Sequence, residues 1–168
     1  THRMIPEYAD DLDFENRLPV GQAPILTQSV QRFQAGMAFM MQSREQTGYA
    51  TMGVVTGDAG VGKTIAVQTY LQSLRPRAYS GFPACVSIKV SPRSTAFALA
   101  KAPITTLRGD YSGHNIYDME RVATEAIRRS DLDLVLVDEG DWLNVESFEL
   151  LRHLFDRTGC PIVIVGLP

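Results

Sequence analysis

One octapeptide limits what this chain can fold into more than any other feature. Gly57-Asp58-Ala59-Gly60-Val61-Gly62-Lys63-Thr64 follows an apolar run, Thr51–Thr56, and precedes a helical pattern from Lys63 to about Leu74. The motif is G-x-x-x-x-G-K-[ST], and its spacing has a physical cause. Gly57, Gly60 and Gly62 let the backbone turn with its N–H groups pointing into one concavity. Those donors, together with the N-terminus of the following helix, cradle phosphates. The expected role of Lys63 is to reach the β- and γ-phosphates, and that of the Thr64 hydroxyl to ligate Mg²⁺. Asp58, Ala59, Val61 and Ile65 complete the candidate nucleotide contacts. A chance match somewhere in such a chain has odds of roughly 1 in 200.

The surrounding pattern names the fold class. Before the motif, Val30, Phe33, Met37, Met40 and Met41 recur at helical steps between Thr27 and Gln46, with Thr27 or Ser29 as cap and Gly48 as stop. After it come a strand at Ala84–Val90, a short helix at 94–101, an irregular stretch at 102–113 and a helix at Asn115–Arg129. A strand at Leu132–Val137, a helix at Val145–Thr158 and a strand at Pro161–Val165 complete the chain. Inner faces are expected at Val67, Tyr70, Leu71 and Leu74, then at Ile116, Met119, Val122, Ala123, Ala126 and Ile127, and last at Phe148, Leu151, Leu154 and Phe155. Strands that are apolar throughout, alternating with helices, imply an α/β fold. Its sheet is doubly wound, mostly parallel and covered on both faces.

A second motif, Leu134-Val135-Leu136-Val137-Asp138-Glu139, carries an acidic pair to the C-terminal end of an apolar strand. In open α/β sheets ligands bind beyond those ends. Asp138 is the candidate to hold Mg²⁺, usually through water. Glu139 is placed to polarise a water for attack on the γ-phosphate. The adjacent Glu favours a hydrolase over a kinase, and no N-K-x-D motif is present, so ATP is expected rather than GTP.

Charge and composition narrow the remaining classes. Of 168 residues, 45% are apolar and 21% charged, which excludes wholesale disorder. The net charge of −3 sits in residues 1–20, leaving fourteen basic and fourteen acidic residues in the body, with no overall electrostatic footprint for nucleic acid. The pairs Arg75/Arg77 and Arg128/Arg129 read as solvated faces or a local patch. No stretch is long enough to span a bilayer and no leader pattern opens the chain. Cys85 and Cys160 make no disulfide framework or metal cluster and read as small buried hydrophobes, so a reducing, cytoplasmic setting is expected. His114 and His153 read as surface or satisfied histidines, and Trp142 as packed on the next helix or as a partner contact.

Gly57–Thr64 and Leu134–Glu139 resemble the Walker A and Walker B motifs of the AAA+ ATPases. Val137-Asp138-Glu139-Gly140-Asp141-Trp142-Leu143, a helix, and Gly159-Cys160-Pro161-Ile162-Val163-Ile164-Val165-Gly166 are similar to one branch, the transposition regulators of the TnsC, TniB and MuB type. The resemblance covers residues 24–168. It departs from the branch at Gly140, where Ala is usual, at Trp142, where Arg or His is common, and at Gly166-Leu167-Pro168, where a polar γ-phosphate sensor is usual.

Residues 1–24, punctuated by Pro6, Pro19 and Pro24 and without an apolar period, read as an extended arm; the resemblance implies an ATPase core at 25–168, with Val20, Pro24 and Ile25 near adenine. It implies Mg²⁺-dependent hydrolysis of ATP to ADP, self-association of a full-length protein, assembly on DNA and recruitment of a transposase-type partner. It also implies a longer protein, because the family core continues with a further helix, a fifth strand and a lid carrying the arginine finger and second sensor. Two other readings stand beside it. One is an ATP-dependent signalling or defence switch that binds protein and no DNA, and the other is a nucleotide-binding module without turnover.

Overall fold

The computed structural model describes residues 27–60, 62–74, 81–107, 109 and 115–168. The arm at 1–24, the adenine candidates Val20, Pro24 and Ile25, Val61, the Arg75/Arg77 pair and His114 lie outside the described residues. The elements run α1 (Gln28–Thr47), β1 (Met52–Thr56), α2 (Lys63–Ser73), β2 (Cys85–Lys89), α3 (Ala96–Thr106), α4 (Ile116–Ser130), β3 (Leu134–Asp138), a 3₁₀ turn (Gly140–Trp142), α5 (Val145–Thr158) and β4 (Ile162–Gly166).

Local chemistry sets the helix ends. Thr27, Thr95, Asn115 and Asn144 each accept the N–H three residues on, capping α1, α3, α4 and α5. Each such cap contributes about 1 kcal/mol. Gly48 and Gly159 end α1 and α5 in the left-handed conformation, and each donates its N–H to the carbonyl four residues back.

All strand pairs are parallel, in the order β1-β4-β3-β2. The period-2 alternation of a strand splits the apolar runs between two layers. Val86, Ile88, Val135, Val137, Ile162 and Ile164 pack with α3, α4 and α5. Cys85, Leu134, Leu136, Val163 and Val165 pack with Val30, Phe33, Met37, Ala66, Val67 and Tyr70 of α1 and α2. The chain is thus an α/β doubly wound parallel sheet, as its sequence pattern implies. The carboxyl ends of β1, β4 and β3 lie side by side at one end of the sheet.

Three expectations need correction. The strand β1 is not buried throughout, because Val54 is 65% exposed at the edge of the described sheet. The helix expected at 94–101 runs on to Thr106 as α3, with Pro103 inside it. Pro103 removes one donor, but Ala100, Ala102, Pro103 and Ile104 are buried in the core and that packing outweighs the loss. On α5, Phe148 is exposed, whereas Ser147, Leu150, Leu151 and Leu154 are buried. Position 148 stands at the margin of that stripe, and the small Ser147 takes the inward place.

Glu120 on α4 is buried and meets Arg157 Nη1 at 3.1 Å and His153 Nδ1 at 3.4 Å, both from α5. Arg128 donates to the Arg157 carbonyl and Arg129 bonds Glu125, so the Arg128/Arg129 pair sits on a solvated face. Among the described residues no helix is long and apolar enough to cross a membrane.

Both cysteines are buried, as expected. Burial pushes the Cys160 thiol up to about 12 and raises that of Cys85 as well. A thiol whose folded pKa is raised contributes stability that is complete below the unfolded value and is lost as pH climbs from there. Stability is therefore expected to fall from about pH 9 upward. Native thiol titration with a chromogenic disulfide should find neither cysteine reactive at pH 8, and fast labelling of the folded chain would contradict this burial.

Candidate functional site

The loop between β1 and α2 takes the shape its glycines permit. Gly60 and Gly62 hold φ of 78° and 90°, a region closed to most side chains. Gly62 is the N-cap of α2, with no side-chain cap and no acidic residue in the first turn. The first helical bond runs from Ala66 N to Gly62 O. The amides at the start of α2 therefore lack helical partners and, with the helix dipole, create a region that favours an anion.

Lys63 is half-buried, and its ammonium donates to Gly57 O at 2.5 Å and Asp58 O at 2.8 Å. It therefore bridges the first two residues of the loop. The Gly57 N–H donates to Gly166 O at 3.3 Å, fastening the loop entry to the end of β4.

A cleft of about 400 Å³ opens over this loop. Ala59, Gly60, Gly62, Lys63, Thr64 and Ile65 line it. Asp138, Glu139 and Asp141, at and just beyond the end of β3, line it too, with Val165, Gly166 and Leu167 at and just beyond the end of β4. The structure thus brings Lys63, Thr64, Asp138 and Glu139, more than seventy positions apart in sequence, to one cavity. Gly57 and Asp58 stand at the mouth of the loop, with Asp58 exposed, and Ile65 is 50% exposed on the cleft wall.

Asp138 is 6% exposed, and its Oδ1 accepts the Glu139 N–H at 2.9 Å. Its backbone carbonyl accepts from Val90 at 2.9 Å, so β2 holds it from the other side. A buried carboxylate and a hydroxyl-bearing residue that line one cleft supply hard oxygen donors. They fit Mg²⁺, an ion that keeps several waters and takes one or two protein oxygens.

Glu139 is half-buried and adopts φ 59°, ψ 39°, the left-handed region. A non-glycine residue there stores roughly 1–3 kcal/mol of strain, and such strain gathers at functional sites. The 3₁₀ turn that follows carries Trp142, which is 49% exposed and not packed away under the next helix.

Asp141 escaped the sequence reading. Its carboxylate lines the cleft and accepts the Leu167 N–H at 3.4 Å, beside the point where a polar residue after β4 was sought. The two glycines that depart from or close the motif, Gly140 and Gly166, were the available signal, because paired glycines mark a close backbone approach.

Comparison with known proteins is consistent with this architecture. The family model described as "AAA domain" matches residues 45–168. The chain is similar to the chaperone protein ClpB of Yersinia enterocolitica, at 27% identity over 82% of this chain and 14% of ClpB. It is similar to the AAA+ ATPase ClpV1 of Pseudomonas aeruginosa, at 28% identity over 82% of this chain and 14% of ClpV1. The chain thus spans about a seventh of these curated relatives. Among solved structures, the Aeropyrum pernix ORC1 protein in complex with DNA superposes with a TM-score of 0.63 at 20% identity, over 89% of this chain and 41% of that one. At that identity the likeness is one of fold.

Proposed function

Because the chain belongs to the AAA domain family, we propose that it is the core of a Mg²⁺-dependent ATPase that assembles with ATP on DNA and recruits a transposase-type partner. The observation that carries the nucleotide part is the shared cleft. A glycine-built loop with a lysine at a helix N-terminus lines it together with a buried Asp and the adjacent Glu at a strand end. The amides at the start of α2 bind the phosphates, and Lys63 adds charge at the β- and γ-phosphates. Thr64 and Asp138 would hold Mg²⁺, which when bound would supply charge neutralisation at the phosphate oxygens. Glu139 accepts a proton from the attacking water, which leaves ADP and phosphate as products.

The DNA and partner part rests on two likenesses. The Val137–Leu143 stretch resembles the transposition regulators of the TnsC, TniB and MuB branch, and the ORC1 structure that shares this fold was solved with DNA. A protein-directed switch that binds no DNA is the second reading, and the likeness to the chaperone ClpB supports it. A cytoplasmic setting suits either.

Salt dependence separates the two. DNA affinity of the longest available form of the protein, measured with ATP between 50 and 200 mM salt, is expected to fall steeply, by about 10³-fold for some six phosphate contacts. Absence of DNA binding at low salt would favour the protein-directed reading.

A further inference from the structure

The exit of β3 approaches the end of β4 more closely than ordinary side chains permit. A Cβ at Gly140 would stand 2.3 Å from Ile164 Cγ2 and 3.2 Å from the Val165 carbonyl oxygen. A Cβ at Gly166 would stand 3.1 Å from the Asp141 amide nitrogen and 3.2 Å from Asp141 Oδ1. The two glycines lie on opposite sides of one seam, and each leaves room for the backbone across it. Asp141 closes the seam by accepting the Leu167 N–H. Short turns stiffen it, with Trp142 N donating to Glu139 O at 3.1 Å and Leu143 N to Gly140 O at 3.0 Å.

The residue entering this seam is Glu139, and its left-handed backbone is what turns the chain onto β4. Gly140 explains its own departure from the branch pattern, because the methyl of an alanine would collide with the Ile164 side chain. Val165, Gly166 and Leu167 line the same cleft as Glu139, and Gly166 also accepts the Gly57 N–H from the phosphate-side loop. Three strand ends therefore meet at Gly166.

We infer that the Gly140–Asp141 seam against β4 is a positioning device for the Glu139 carboxylate, in which Gly140, Asp141 and Ile164 act through the backbone of Glu139. The inference rests on the proposed role of Glu139 as base. A base works only within hydrogen-bond reach of its proton, and a displacement of about 1 Å can cost on the order of 10²-fold in rate. Widening the seam moves Glu139, whose backbone leads directly into it, while the amides at the start of α2 stay in place. Turnover should therefore fall without loss of nucleotide affinity.

The test uses Gly140→Ala, Ile164→Ala and their combination, with Asp141→Ala, Asp141→Asn and Glu139→Gln. The readouts are kcat, ATP affinity, melting temperature and hydrogen exchange at the Leu167 amide. Gly140→Ala is expected to lower kcat about tenfold or more, keep ATP affinity within about twofold and expose the Leu167 amide to exchange. Adding Ile164→Ala makes room for the new methyl and should restore most of the kcat and of the protection, although it trims the core and lowers the melting temperature. A purely structural role would make kcat follow the melting temperature downward instead.

Asp141→Ala should slow turnover and Asp141→Asn restore it, since the amide oxygen still accepts; this pair carries the test if Gly140→Ala does not fold. A folded Gly140→Ala with unchanged kcat and unchanged Leu167 protection overturns the positioning role, as does a double variant no better than the product of the singles. Full turnover in Glu139→Gln overturns the base reading and the seam together. A dead Glu139→Gln beside a fully active Gly140→Ala overturns the seam alone.

Discussion

Replacing Lys63 by alanine is expected to remove most ATP binding while the domain stays folded. The ammonium lies on the cleft wall, half-buried, at the start of a helix whose first amides have no helical partners. A phosphate in that cradle meets both the amides and the charge. Charge-assisted hydrogen bonds contribute about 1.5–3 kcal/mol, so a loss of roughly 10- to 150-fold in affinity is expected. The variant also gives up the bonds to Gly57 O and Asp58 O. That loosens a surface loop and leaves the two core layers untouched. Isothermal titration with ATP, run beside thermal melting, checks both halves. Unchanged affinity in a folded variant would sink the assignment of this loop as the phosphate cradle.

Glu139→Gln should leave ATP and Mg²⁺ binding intact and reduce turnover by about 10²- to 10⁴-fold, the usual contribution of a positioned general base. The amide keeps the size and polarity of the carboxylate but takes no proton. Asp138 keeps its carboxylate, its bond to the Glu139 N–H and its place on β3, so the proposed Mg²⁺ site is expected to survive. Asp138→Asn is expected to fail differently, by raising the Mg²⁺ concentration needed for half-maximal rate. Steady-state turnover against Mg²⁺ concentration for the two variants separates the roles. If Asp138→Asn leaves the Mg²⁺ dependence unchanged and Glu139→Gln leaves turnover unchanged, the reading of the β3 end is wrong.

Much of this was legible in the order of residues because the determining interactions are local or periodic. The cap at Thr27 acts within three residues. The glycines at 60 and 62 owe their φ to their own missing side chains. The unbroken apolar runs of β3 and β4 imply cover on both faces, and every residue of both strands is buried. Where non-local packing competes with a local rule, the sequence misleads. Pro103 reads as a helix breaker and lies inside α3, because the core side of that helix is apolar across the proline. Phe148 reads as an anchor and stays exposed, because helix phase puts Ser147 and Leu151 inward. Val54 reads as core in an apolar strand, yet its strand stands at the edge of the described sheet.

The sequence by itself determined the α/β class, the glycine-built loop and the acidic pair at a strand end. Each depends on torsional freedom or on periodicity along a few neighbouring residues, which composition and spacing record directly. Only the tertiary structure decided the strand order β1-β4-β3-β2, and with it the fact that β4 lies between the loop strand and the acidic strand. That order sets the Asp141 carboxylate against Leu167 and presses Gly140 onto Ile164, contacts across 26 and 24 positions of chain. Close approaches of that kind arise when two strands are hydrogen-bonded into one sheet. The spacing of residues along the chain does not encode them.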